Sequence, residues 1–323
     1  MLGGFVLDFL SINITELSQY FFDANKRIYM VYLFSAFAFA IPVYWLKFSS
    51  FSLVPFLRFV FPKSIYTHKS ARQDYVLLVI NKLVKSALFP LVVITMAPIA
   101  IGVSSIIESA FGYIEPLAFS ATAIIVTFTV LLFLFDDFTR FCLHYLLHKI
   151  PLFWEFHKVH HSALVLTPLT IYRSHPVESL LYAFRMTLTQ GFVVGVCYYF
   201  FGPNLKMYDI LGANAFVFLF NFCGSNLRHS HIWLSWGDKV ENYFISPAQH
   251  QIHHSDNPKH FDTNFGSALA LWDRLFSCHI KASQVNKVTY GIGANYQGYN
   301  SLIQIYFEPF KKAAQSLLPK CKK

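Results

Sequence analysis

Histidines at helical spacing recur three times in this chain, as His144/His148, His157/His160/His161 and His250/His253/His254. Side chains at i, i+3 and i+4 share one face of an α-helix, so each cluster can converge on a metal ion. Thirteen of the fourteen histidines lie between His144 and His279. A shuffled chain of this histidine content would hold an H-x-x-H-H string roughly 0.03 times, and this one holds two. Imidazoles packed this densely without a metal would leave polar nitrogens unpaired. Eight or nine of them exceed the four positions of a tetrahedral zinc ion, so two metals is the natural count.

The elements that must position these clusters belong to a membrane protein. The chain is 55% hydrophobic and 13% charged, with 36 phenylalanines and a mean hydropathy of +0.43, too apolar for a soluble domain. We expect an all-α, polytopic membrane helical bundle of about four to five spans, with a cytosolic histidine-rich helical cap holding the dimetal site. Candidate spans are Ile28–Leu46, Leu83–Val103, Pro116–Phe135, Leu180–Phe201 and a short Met207–Phe222. Seven lysines and arginines between Lys47 and Lys85, against none from Ser104 to Glu115, put the former stretch in the cytosol. Counting spans onward then returns all the clustered histidines to that side, the last two candidates forming a hairpin out and back. The net charge of +9 flanks apolar spans, which suits anionic lipid headgroups and not nucleic acid. No removable signal peptide is expected, because the first residues lack a basic region and a small-residue cleavage site. The five cysteines, Cys142, Cys197, Cys223, Cys278 and Cys321, include no C-x-x-C; four of them read as buried filler.

Local signals fix the cluster helices. His144 and His148 continue the third span. Asp137, two turns before His144, either accepts the second ring N–H of a ligand histidine or is solvated or paired with Arg140. Pro151 opens the helix of the second cluster. Ser246, Pro247 and Gln249 form an S-x-x-Q capping box at the start of the third. Of His229 and His231, either offers one more ligand, with His229 preferred; both could instead cap the end of the hairpin. His175 could bond a phospholipid headgroup, pair with Glu178 or, as preferred, support a ligand. His68, His260 and His279 stand alone as ordinary surface or interface histidines.

Imidazole suits zinc, copper, nickel and iron alike, so the metal is chosen by location. A metal pair at the end of a membrane bundle meets lipid chains, whose C–H bonds require redox chemistry with O₂, and zinc is redox-inert. The order His-x₃-His, His-x₂-His-His, single His, His-x₂-His-His resembles the fatty acid hydroxylase/sterol desaturase superfamily of membrane di-iron oxygenases. So do Asp137, Phe156–Ser162, Arg173–Glu178, His229-Ser-His231, Asn264-Phe-Gly and Trp272–Phe276, and the likeness is closest to bacterial sterol desaturase-like members. His231 stands where the family carries asparagine, Tyr145 where many relatives carry arginine, and Ser277-Cys278 where Gly-Thr is usual.

With no linker and no internal repeat beyond the two H-x-x-H-H strings, the chain reads as one membrane domain over residues 1–323, with N-terminal spans over 1–132, a catalytic region over 133–280 that carries the resemblance and a cytosolic tail over 281–323. The resemblance implies two Fe²⁺ ions on His144, His148, His157, His160, His161, His229, His250, His253 and His254, supported by Asp137, His175, His231 and Asn264. The expected reaction is O₂-dependent hydroxylation of a membrane-lipid C–H, with desaturation as the alternative on the same ligands. No haem, dinucleotide or iron–sulfur motif is present, so an external reductant is expected. A ferredoxin or cytochrome b5 with its reductase would dock on a basic surface that includes Lys281 and Lys287. The membrane would be the bacterial inner membrane or the endoplasmic reticulum. A metal-transport site or zinc-stapled scaffold is the non-enzymatic alternative. Transport needs ionisable groups inside the spans, and these hold few.

Overall fold

The computed structural model describes residues 2–92, 95–293, 296, 299 and 301–318. The first part runs α1 (Leu2–Gln19), α2 (Met30–Phe48), α3 (Leu53–Val60), α4 (Lys63–Tyr66), α5 (Lys69–Val92), α6 (Met96–Phe111) and α7 (Ala121–Lys149). After it come α8 (Pro151–His161), α9 (Pro176–Phe201), the hairpin strands β1 (Asp209–Ile210) and β2 (Ala213–Asn214), and α10 (Ala215–Phe222). The short α11 (Gly237–Val240), α12 (Pro247–His253) and α13 (Leu271–Leu275) precede α14 (Leu302–Ser316).

Among the described residues three helices, α2, α7 and α9, are long and apolar enough to cross a membrane; α5 and α6, bent by 46°, add a fourth if the pair is one span. Only 17% of the most apolar window of α7 is buried, so that surface faces outward and needs lipid to cover it. The chain is a multi-pass membrane protein. Ser120 caps α7 by accepting from Ala123 N at 3.2 Å, and the helix runs unbroken for 29 residues. That is about 44 Å, against a hydrocarbon core of about 30 Å. The excess lets the last turns, with His144 and His148, project past the apolar part of the helix.

Two expected spans differ in the structure. Leu83–Val103 falls across the α5–α6 bend, with residues 93 and 94 outside the description. Met207–Phe222 is not a span but a tight hairpin followed by the eight-residue α10. Its polar residues break the apolar run: Asp209 Oδ1 accepts from Gly212 N at 2.8 Å, while Leu211 and Gly212 take positive φ, the turn geometry that matches strand twist. Asn214 then caps α10, and Thr129 of α7 holds the hairpin by accepting from Tyr208 N and Asn214 Nδ2. The chain therefore returns from α9 without a fifth full crossing.

Around the histidines the packing draws on both ends of the chain. Ala36, Ala40 and Tyr44 of α2 bury Leu227 and Ile232, on either side of His229. The expected tail contains α14, whose Ile305 packs with Val159 of α8 and Leu77 of α5. Among the cysteines Cys197 and Cys278 are buried, Cys142 is half-buried and Cys223 is exposed, contrary to its reading as filler; all four are free. Cys321 lies outside the described residues.

The tightest helix contact depends on glycine. A Cβ on Gly191 would stand 2.6 Å from Ile99 Cγ2, and one on Gly195 would stand 2.6 Å from the Ala100 carbonyl oxygen. This G-x-x-x-G face lets α9 and α6 approach backbone to backbone. Gly195→Ala should therefore lower the melting temperature in detergent by several degrees, since the clash is with main chain. Gly102→Ala, which meets no atom within 4 Å, should leave it unchanged or raise it. Equal melting curves for the two variants would contradict this packing.

Candidate metal centre

The nine clustered histidines converge as two adjoining groups. His144, His148, His157, His161 and His253 bring their ligand atoms within 4.8 Å of one another, and His160, His229, His250 and His254 do the same. The sorting follows helix geometry. On α8, His157 and His161 are one turn apart and enter the first group, while His160 enters the second; on α12, His250 and His254 enter the second group and His253 the first. The sequence signals at these helices hold, with Pro151 in the first turn of α8 and the Ser246/Gln249 capping box complete.

The inward atoms are Nε2. His144 and His157 approach at 3.1 Å, His148 and His161 at 3.2 Å, His229 and His254 at 3.1 Å, and His229 and His250 at 3.1 Å. Nitrogens about 2.1 Å from a shared ion stand about 3.0 Å apart at right angles and about 3.4 Å apart at tetrahedral angles. The observed spacings fall in that interval. His253 Nε2 is buried without a hydrogen-bond partner, as a nitrogen reserved for a metal would be. Burial also keeps the rings neutral: it pushes His157 down to about 3 and His160 to about 4, and lowers His161, His229, His250, His253 and His254. Neutral imidazole is the metal-binding form.

Outer N–H groups aim these lone pairs. The Nδ1–H of His144 donates to the Phe265 carbonyl at 2.8 Å, that of His253 to the Thr263 carbonyl at 2.7 Å, and that of His157 to Glu178 Oε1 at 2.9 Å. His148 Nδ1 faces Asp262 Oδ1 at 3.5 Å. One four-residue segment, 262–265, thus serves three ligands of the first group. It does so with left-handed backbone at Asp262 and Asn264, φ 59° and 54°, a conformation that Asp and Asn tolerate best after glycine. In the second group His160 Nδ1 donates to the Arg173 carbonyl at 3.2 Å, whereas His250 Nδ1 and His254 Nδ1 are buried and unpaired.

The four expected supporting residues are placed differently from one another. Asp137 contacts no histidine and is not paired with Arg140. Its carboxylate accepts from Ala268 N, Leu269 N and Trp272 Nε1, and so holds the loop that offers Phe265 to His144. The two turns that separate it from His144 carry its side chain past the ring to that loop. Asn264 contacts no histidine ring either; it donates to the Gln249 and Ile280 carbonyls and accepts from Ile280 N. His175 caps α9 by accepting from Val177 N and donates to the Tyr306 carbonyl, which steadies the turn bearing Glu178. His231 is not at the site: its Nε2 donates to the Phe59 carbonyl at 2.6 Å.

Three supports had no role assigned from the sequence, where Arg173, Glu178 and Asp273 stand only within segments that carry the resemblance and Glu178 also as a possible partner of His175. Glu178 takes the Nδ1–H of His157. Asp273 accepts from Phe265 N and Gly266 N at 2.6 and 2.9 Å. Arg173 is fully buried, ion-paired to Asp74 at 2.7 Å, and donates to Gln73 Oε1, Ser162 Oγ and the Val159 carbonyl. It thereby locks α5 against the end of α8 while its own carbonyl takes His160.

Residues 129–278 match the sequence profile of the fatty acid hydroxylase family. Similar curated proteins include an alkylglycerol monooxygenase of Caenorhabditis elegans, 23% identical over 176 residues, or 54% of this chain and 30% of the relative. Ornithine lipid hydroxylase OlsE of Rhizobium tropici is 29% identical over 140 residues, 43% of this chain and 38% of that one. A Delta(7)-sterol 5(6)-desaturase of Eremothecium gossypii is 29% identical over 144 residues, 44% and 34% of the two chains. The match thus spans about a third of each relative's length. No solved structure matches the chain.

Two outcomes test this geometry. Chelator titration of metal-loaded protein should remove metal in two phases, the group with unpaired outer nitrogens first. Glu178→Ala should weaken the later phase about 10- to 100-fold; a single phase unaffected by that variant would contradict the assignment. For chelator-stripped protein, each histidine whose pKa burial lowers contributes stability that is present above the ordinary value of about 6.5 and lost as pH falls toward the folded values. Melting temperature in detergent should be flat from pH 8 to 7 and fall below about pH 6.5.

Proposed function

Since residues 129–278 belong to the fatty acid hydroxylase/sterol desaturase superfamily, we propose that this chain is an O₂-dependent di-iron enzyme that hydroxylates a C–H bond of a membrane lipid. Desaturation is the second outcome open to the same ligands, and sterol desaturases stand among the similar proteins. The observation that carries the reading is the convergence of nine imidazoles, seven buried and His148 and His160 half-buried, in two adjoining groups at the end of membrane-crossing helices. His144, His148, His157, His161 and His253 would hold one iron, and His160, His229, His250 and His254 the other. An iron pair bound there, given O₂ and external electrons, would supply the oxidising power that C–H chemistry needs.

The chain's own residues set the conditions. Asp262, Thr263, Phe265 and Glu178 orient four rings before any ion arrives, so little reorganisation is left to the loaded state. Burial around the clusters excludes water and protects reactive species from side reactions. The basic stretch Lys47–Lys85 packs beside the site, through Phe59 on His231, two residues from His229, and through Asp74 on Arg173, whose carbonyl takes His160, which supports a cytosolic site by charge bias. Electrons would come from a separate ferredoxin or cytochrome b5 with its reductase.

Anaerobically purified protein should carry about two irons per chain in a nitrogen-rich, coupled site by mass spectrometry and Mössbauer spectroscopy. His253→Ala and His250→Ala should each abolish lipid oxidation, the first depleting the five-histidine site and the second the four-histidine site. Zinc alone, persisting after iron supplementation under strict anaerobic handling, would overturn the oxidative reading. Full activity of His253→Ala would overturn the ligand assignment.

A further inference from the structure

A cavity of about 270 Å³ touches both histidine groups, reaching His144 and His157 of the first and His160, His229 and His250 of the second. Its lining reaches one turn from the ligands toward the apolar part of each helix, with Arg140 one turn before His144 on α7 and Tyr182 one turn beyond Glu178 on α9. Its walls would be expected to be apolar if it received a hydrocarbon chain. They are instead basic, with Arg27, Lys85, Arg140 and Arg228 all lining it and Glu178 as the one carboxylate among the described lining residues.

These cations are poorly compensated. Arg140 shares Asp136 with Arg185. Arg27 donates only to the neutral Asn221 and Ser225 side chains. Arg228, 5% exposed, donates to the Ser267 carbonyl and stacks on Phe220, while its Nε is buried without a partner. Lys85 makes no ion pair among the described residues. Asp137, near Arg228, is engaged by three N–H donors, and Glu178 binds His157. The cations Arg27, Lys85, Arg140, Arg185 and Arg228 outnumber Asp136, Asp137 and Glu178 by two. Divalent metals would widen that imbalance. Of the lining cations Arg228 is buried and Arg27, Lys85 and Arg140 are half-buried; charge withdrawn from water without a counter-charge is costly in proportion to its burial, and a bound anion lowers that cost.

We propose that this cavity is an anion-binding subsite in which Arg27, Lys85 and Arg228 receive a phosphate- or carboxylate-bearing headgroup of the lipid substrate beside the metal centre. The proposal rests on the lipid-oxidation reading for its substrate, although the anion site itself is a separate physical claim. The volume lies at the lower edge of the roughly 300–1,000 Å³ of ligand pockets, enough for a headgroup and the carbons next to it, whose C–H bonds then stand beside the histidine groups. Arginine offers planar paired donors to such an anion and lysine a point charge.

The test is binding to the full chain in uncharged detergent, with and without chelation of metal. The probes are dihexanoyl phosphatidic acid, the neutral dihexanoylglycerol and inorganic phosphate alone. The phosphatidic acid should bind at least about tenfold more tightly than the neutral lipid, and this preference should survive chelation. Lys85→Gln, which removes no hydrogen bond of the fold, should weaken it about tenfold, the loss expected for one charged contact. Lys85→Arg should retain it, and Arg228→Gln should repeat the loss wherever that variant keeps the parental melting temperature. Tight binding of the lipid over free phosphate assigns the site to a headgroup, and equal binding of both assigns it to a free anion. No preference for anion over neutral lipid, or a preference unchanged in Lys85→Gln, overturns the proposal. Iron content and lipid oxidation are read separately, so either claim can fail while the other stands.

Discussion

A ring nitrogen can be aimed only by holding the other end of the ring. Nine imidazoles whose lone pairs all point at two small volumes would otherwise rotate to find partners, because each buried polar nitrogen left alone costs free energy. The architecture around the site answers that constraint. Phe265 and Thr263 offer carbonyls, Glu178 a carboxylate and Arg173 a carbonyl, and each of these is fixed in turn by something further out. Asp273 and Asp137 hold the 265–272 loop, Asn264 ties it to α12, and the Arg173–Asp74 pair locks α5 to α8. The membrane helices are a frame for this hierarchy, with α7 delivering two ligands and α9 beginning at the turn that carries Glu178.

Features repeated within one or two helical turns were legible in the sequence. The three clusters, Pro151 and the Ser246/Gln249 box are local, and the structure keeps them. The sorting of ligands between the two groups was not legible, because it depends on how α8 and α12 are rotated against each other. Nor were the carbonyl acceptors, since a backbone oxygen leaves no mark on residue identity. The left-handed Asp262 and Asn264 are a partial exception, their types being those that such a backbone favours. Asp137 shows the limit of spacing arguments: two turns before His144 is a position from which a carboxylate can reach a neighbouring loop as readily as a ring. The Met207–Phe222 segment was apolar enough to suggest a crossing, and Asp209, Gly212 and Asn214 were the signals against it. Gly191 and Gly195, four residues apart on an apolar helix, were not singled out from the sequence, yet they mark the close approach of α9 to α6.

The two groups are unlike in construction. The five-histidine group has outer partners for most of its rings, including two carboxylates, while the four-histidine group has two buried nitrogens unmatched. Carboxylate partners raise the basicity of a ligand ring through its N–H, so the two positions present different electronic environments to identical ions. The cavity touches both groups, with Arg228 among its walls, and no carboxylate hydrogen-bonds a ligand of the four-histidine group among the described residues.

His160 and His161 are consecutive residues that turn to different groups, and so are His253 and His254. At both places a single peptide unit bridges the two groups, so covalent geometry acts as the ruler between them. Side-chain rotation can adjust a nitrogen by a fraction of a bond length, but it cannot change the step from one residue to the next. An insertion or deletion of one residue inside either string would exchange the destinations of the histidines that follow it, on a helix whose faces repeat every 3.6 residues. The two short strings therefore behave as fixed-length gauges, in which spacing is as strictly required as residue type.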